Sequence, residues 1–79
     1  MKVNVKLHKS VQKFILQRQL KEQKRILNAL FRLPDGDIKP LVGRQGEFRL
    51  RIGNIRAIFE YREDIIFVKE IDTRGGIYK

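Results

Sequence analysis

Arg49, Arg51 and Arg56 are the residues of this chain best suited to chemistry on an oxyanion. A guanidinium presents a planar fork of donors that matches phosphate, and it stays charged at any physiological pH. From Glu47 to Tyr61 the sequence reads Glu-Phe-Arg-Leu-Arg-Ile-Gly-Asn-Ile-Arg-Ala-Ile-Phe-Glu-Tyr. Phe48, Leu50 and Ile52 fall on one parity, Arg49 and Arg51 on the other, which is the period of a half-buried strand. Gly53-Asn54 separates two such runs and predicts a tight hairpin turn. Counting outward from it, Ile52 faces Ile55, Arg51 faces Arg56, and Leu50 faces Ala57. One face then carries Phe48, Leu50, Ile52, Ile55, Ala57, Phe59 and Tyr61, and the other carries the three arginines. Like charges directly opposite each other destabilise a strand pair by about 0.2–1 kcal/mol. Stability gains nothing from setting Arg51 against Arg56, whereas an anion lying across the sheet turns the repulsion into attraction. A solvated charged face is the plainer alternative, and it loses ground as arginines accumulate on one face of a basic chain.

The elements that must position this hairpin are legible in outline. Val3 to Leu7 alternates and reads as a first strand. Ser10 is a candidate helix N-cap, with a start a residue or two earlier as the alternative. Leu7, Val11, Phe14 and Ile15, then Leu20, Ile26, Leu27, Leu30 and Phe31, recur at helical spacing. The segment from Lys9 to Leu33 lacks Gly and Pro. It is one long helix, or two with a break near Gln17 to Gln19. Lys9, Lys13, Arg18, Lys21, Lys24 and Arg25 cover its outer surface, either as a solvated face or as a contact to a nucleic-acid backbone. His8 reads as a surface or capping residue. Pro34-Asp35-Gly36-Asp37 stops the helix. Ile38 to Gly46, with Pro40, Gly43 and Gly46, reads as an ordered loop. Ile65 to Val68 opens a last strand, apolar on both faces at first and so central. A three-residue turn at Arg62 to Asp64 brings Glu70 opposite Arg56 and Arg74 onto the cationic face, and a two-residue turn reverses both.

Composition bounds the function. The chain has 79 residues, which implies one domain, and 18 Lys and Arg against 9 Asp and Glu leave a formal charge of +9. So large an excess points to a polyanionic partner: nucleic acid, an acidic protein segment or an anionic membrane surface. With no Cys and one His, a disulfide or a Cys/His metal site is excluded. No cofactor is expected. The absence of Cys, of a signal-peptide pattern and of a long apolar run fits a cytoplasmic protein.

The run Leu41-Val42-Gly43, then Glu47-Phe48-Arg49-Leu50-Arg51-Ile52-Gly53-Asn54-Ile55-Arg56-Ala57-Ile58-Phe59, and the closing Ile71-Asp72-Thr73-Arg74-Gly75-Gly76-Ile77-Tyr78, resemble the RelE/ParE superfamily of type II toxin–antitoxin toxins. The resemblance covers essentially residues 1–79. It implies an α+β fold, a four-stranded antiparallel sheet with an N-terminal helical pair on one face (β-α-α-β-β-β). In the RelE branch it implies a metal-independent endoribonuclease that cleaves messenger RNA in the ribosomal decoding site. In the ParE branch it implies a DNA gyrase poison that is not a nuclease. It also implies an acidic, partly disordered antitoxin as partner. RelE-like members offer two basic residues on one strand, matched by Arg49 and Arg51, an Arg on the next, matched by Arg56, and an Arg and a Tyr near the end, matched by Arg74 and Tyr78. Three departures stand out. Ile55 replaces the aromatic residue many members have before the third-strand Arg. Arg49 and Arg51 stand where Lys is frequent. The sequence stops just after Tyr78, without the extra helix some members carry. ParE-like members share part of the arginine pattern, so the hairpin leaves the branch open.

The chemistry can be argued beside the resemblance. Cleaving RNA without a metal uses the 2′-OH as nucleophile on the adjacent phosphate. It needs a proton acceptor, cations for the charge developing on the phosphorane, and a donor for the leaving 5′-oxygen. Arg49, Arg51, Arg56 and Arg74 suit the cationic role but are too basic to take a proton near neutral pH. Tyr78 is the best of the five for proton transfer, with a C-terminal core aromatic as the alternative. Glu47 is a weaker candidate for general base. Lys9, Lys13, Lys21 and Arg44 are candidate RNA-backbone contacts, the ribosome and its 16S rRNA included.

Overall fold

The computed structural model describes residues 4–73, and Arg74 and Tyr78 lie outside them. The elements are β1 (Asn4–Leu7), α1 (Lys9–Leu16), α2 (Leu20–Phe31), β2 (Asp37–Pro40), β3 (Glu47–Ile52), β4 (Ile55–Arg62) and β5 (Ile65–Thr73). The strands form one five-stranded sheet in the order β1-β5-β4-β3-β2. The pairs β2–β3, β3–β4 and β4–β5 are antiparallel and β1–β5 is parallel. The architecture is therefore α+β with a helical pair, but the sheet is five-stranded and mixed, not four-stranded and antiparallel. The added strand is β2, at the edge, where the sequence reads as loop. Pro40 removes a backbone donor and Asp37 and Lys39 carry charge, which erases a strand signal but suits an edge. Only Ile38 of that strand packs toward the core.

The predicted hairpin register is the one observed, with Ile52 facing Ile55, Arg51 facing Arg56 and Leu50 facing Ala57. Its turn has φ of 60° at Gly53, while Asn54 stays out of the left-handed region, as in a type II′ connection. A Cβ at Gly53 would run into the Arg25 guanidinium, so α2 and the hairpin tip are fitted to each other around a missing side chain.

Both helices have local causes. His8 Nδ1 accepts a hydrogen bond from Ser10 N–H at 3.1 Å, so the cap is His8 and α1 starts ahead of Ser10. The break between the helices falls at Gln17 to Gln19, and Gln23 Nε2 donates to the Arg18 carbonyl at 2.8 Å across it. Val11 and Ile15 of α1 and Ile26 and Leu30 of α2 pack with Leu50, Ile52, Ile55, Ala57, Phe59, Ile66 and Val68 in one buried cluster. Leu20 and Phe31, grouped with the core by their spacing, are 67% and 58% exposed. Tyr61, at the far end of the hairpin's apolar face, is also exposed.

The β4–β5 connection combines the two alternatives left open by the sequence. The turn has two residues, Glu63 and Asp64, between the paired Arg62 and Ile65, and Glu63 sits at φ 52°. A shift then falls between Ile58 and Phe59: Phe59 faces Val68 but Ile58 faces Glu70, which leaves Lys69 as an extra residue. Such a bulge reverses the parity of everything beyond it. Ile71 therefore faces Ala57 and packs on the core, while Asp72 faces Arg56.

Candidate functional site

The helices supply their buried residues to one side of the sheet, and the alternation of β3 and β4 places Arg49, Arg51 and Arg56 on the other. The three side chains are half-buried rather than waving in solvent. That of Arg49 is 12% exposed, with Nη2 3.7 Å from Asp37 Oδ1. Its Nε is buried and meets no acceptor among the described residues. Arg51 faces Arg56, which lies between it and Asp72 of β5. Lys39 of the edge strand faces Arg49.

The same face also carries acid. Glu47 and Glu60 stand directly opposite each other, a like-charged cross-strand pair. Lys69 lies between them, its Nζ donating to Glu47 Oε2 at 3.0 Å and to Glu60 Oε2 at 3.2 Å. Arg44 adds longer contacts to Glu47 at 3.5 Å and Glu70 at 3.9 Å. The Lys69 hydrogen bond, with help from the Arg44 and Lys69 charges, holds the Glu47 carboxyl below its ordinary value against an opposing effect of burial. The bonds to Glu47 and Glu60 raise the Lys69 ammonium above its ordinary value. A carboxylate so held is a poorer proton acceptor, which weakens the case for Glu47 as general base.

A cleft of about 630 Å³ runs along the β4–β5 end of this face, where α1 borders it. Lys13, Phe14 and Gln17 line one wall, and Arg56, Ile58, Glu70 and Asp72 the other. Lys13 thus joins the arginine face across the cleft. Lys9 is exposed at the start of α1. Lys21 lies elsewhere, in a groove on α2 with Gln19, Glu22 and Arg25. Arg18 is half-buried, its guanidinium 4.5 Å above the Phe14 ring and paired with Glu22 at 3.6 Å, so it is a structural member of the helical pair. Sequence reasoning did not single out Lys69, Glu60 or Asp72 as parts of this face. The bulge takes Lys69 out of the ladder and turns Glu70 and Asp72 onto this face, and no local pattern announces one.

Among the described residues, no group of three His, Cys, Asp or Glu could hold a metal ion. No helix among them is long and apolar enough to cross a membrane.

No protein-family model matches the chain, and no curated protein does. Solved structures do. A RelB–RelE antitoxin–toxin complex from Methanococcus jannaschii contains a chain 24% identical, with TM-score 0.76, over 92% of this chain and 94% of that one. The archaeal RelE–RelB complex of Pyrococcus horikoshii OT3 matches at 26% identity and TM-score 0.73, over 95% and 98%. The toxin–antitoxin complex RelBE2 of Mycobacterium tuberculosis matches at 17% identity and TM-score 0.76, over 94% and 100%. Near-complete coverage on both sides, with the arginine-bearing hairpin inside it, gives this chain the RelE-like toxin fold.

Proposed function

We propose that this protein is the toxin of a toxin–antitoxin pair and that it cleaves messenger RNA on the ribosome. The observation that carries the reading is the set of Arg49, Arg51 and Arg56 on one sheet face, half-buried, with one guanidinium Nε lacking an acceptor among the described residues. Fixed cationic donors in a partly desolvated site stabilise the extra charge of a phosphorane far better than mobile surface lysines. In the proposed reaction the ribose 2′-oxygen attacks the adjacent phosphorus and the bond to the 5′-oxygen breaks. The products are a 2′,3′-cyclic phosphate and a 5′-hydroxyl. Arg49, Arg51, Arg56 and Arg74 carry the charge, and Tyr78 transfers the proton. None of the five is a strong acid or base near neutral pH, so alignment of the message by the ribosome supplies much of the rate.

The partner of the basic surface is an acidic antitoxin. The three structures described above are named as RelE–RelB or RelBE complexes, and a charge of +9 suits a wrapped acidic chain. A gyrase-poison role has no comparable support, because the three structures described above are named as RelE–RelB or RelBE complexes.

An in vitro translation reaction tests the proposal. Primer extension on the message should reveal breaks within codons in the presence of ribosomes, with cyclic-phosphate 3′ ends. Arg56→Ala should slow cleavage by about 10²–10³, as for loss of one positioned donor, and Tyr78→Phe should slow it comparably. Intact message, with trapped and cleaved DNA in a parallel gyrase reaction, would contradict it.

A further inference from the structure

We propose that Lys69 is a positioning residue for the arginine face. By holding the carboxylates of Glu47 and Glu60, it keeps them off Arg49 and leaves that guanidinium available to an RNA phosphate. This inference rests on the RNA-binding reading above.

The register creates the problem that Lys69 solves. Glu47 and Arg49 are two residues apart on β3 and share a face, about 6.6–6.8 Å along the strand. Glu60 faces Glu47 and lies diagonal to Arg49, because Arg49 faces Ile58. Both carboxylates are therefore within reach of the Arg49 guanidinium, and that pairing would occupy the donors a phosphate needs. An unbulged β5 continuing the register of Arg62 with Ile65 would set Lys69 opposite Ile58 and Glu70 opposite Ala57 on the core face. The bulge instead frees Lys69 from the ladder, and its Nζ bridges the two carboxylates at 3.0 and 3.2 Å. The contacts of Arg49 and Arg44 on this face are looser, at 3.5–3.9 Å. Lys69 is within hydrogen-bond distance of both carboxylates, so its charge is spent on them rather than offered to RNA.

The experiment measures binding of a short labelled single-stranded oligoribonucleotide by fluorescence anisotropy, using the full chain. Lys69→Met should weaken binding about tenfold, as a freed carboxylate competes for a guanidinium. Lys39→Met, which removes a cation from the same face without freeing a carboxylate, should weaken it about threefold. Adding Glu47→Gln to Lys69→Met should restore affinity to within about twofold of wild type. Adding Glu63→Gln, an equal charge change at a distant turn, should not. The idea is overturned if Lys69→Met loses no more than Lys39→Met, or if the two glutamate changes rescue equally. An RNA-free readout accompanies it: the Arg49 Nε–H resonance should move in Lys69→Met and return on adding Glu47→Gln, and a resonance that stays put overturns the idea. If Lys69→Met fails to fold, Lys69→Gln is used for both measurements. Should the resonance behave as expected while the wild-type chain fails to bind RNA, the positioning stands and the RNA reading alone falls.

Discussion

Two like-charged pairs face each other across β3 and β4, and the molecule treats them differently. At one end Glu47 opposes Glu60, and Lys69 bridges them. At the other Arg51 opposes Arg56, with Arg49 alongside and its Nε lacking an acceptor among the described residues. The acidic pair is closed off by a third side chain, which stands at the bulge. The basic pair has an acid opposite each member, Asp37 on β2 and Asp72 on β5, and yet further cations stand about it, Arg49 beside it on β3 and Lys13 across the cleft. Repulsion that a fold corrects is incidental, whereas repulsion that it concentrates on a single face implies a ligand. The apolar side of the same hairpin makes a second contrast, since there every pairing adds to burial.

That contrast can be tested from its largest effect downward. Phe59 is 1% exposed and anchors the apolar side. Phe59→Ala should cost about 3–5 kcal/mol in urea unfolding, enough to leave so small a chain largely unfolded. A much smaller loss would mean that the helices do not close on this face as described. Gly53→Ala meets both the Arg25 guanidinium and a φ of 60°. A loss of about 1–2 kcal/mol is expected, only part of it recovered on adding Arg25→Ala, because the backbone strain remains. Arg51→Gln should disturb the fold far less: relief of the opposition to Arg56 is offset by loss of the attraction to Asp37, which faces Arg51 from β2, so stability should change by less than about 1 kcal/mol while message cleavage falls. An arginine that instead stabilised the fold by more than that would place the cationic face among ordinary structural surfaces.

The last prediction concerns pH and the acidic pair. Because the folded protein holds Glu47 below its ordinary value of 4.5, the stability it contributes is present above that value and fades as pH falls through the depressed one. Lys69 is raised, so its contribution is present below 10.5 and fades as pH rises through the higher folded value. Urea midpoints measured across pH should therefore decline at both extremes, and Lys69→Met should flatten both limbs. Unchanged limbs would mean that the bridge contributes nothing in solution.

Much of this was written locally in the chain. Alternation around Gly53-Asn54 set the hairpin register to the residue, because period two and a two-residue turn leave one solution. The face of Arg49, Arg51 and Arg56 followed from the same kind of counting, whereas the helical break at Gln17 to Gln19 was one of two readings that the apolar spacing left open. What escaped depended on partners distant in sequence. Alternation tells which face a residue takes but not which strand lies beside it, so the parallel pairing of β1 with β5 was invisible. β2 was hidden by Pro40 and its charges. The bulge at Lys69 was hidden because turn length and bulge act on the same parity and cancel. Leu20 and Phe31 fit the helical period yet point outward, since a period fixes a stripe and not its width.

The central claim is that Arg49, Arg51 and Arg56 act together as one anion site. An NMR titration of the guanidinium Nε–H signals with a short single-stranded oligoribonucleotide tests it most directly. The three signals should shift together, with one apparent affinity, while Arg25 on α2 stays unchanged. Movement of Arg25 with the three face arginines silent would put RNA on the helices and contradict the account.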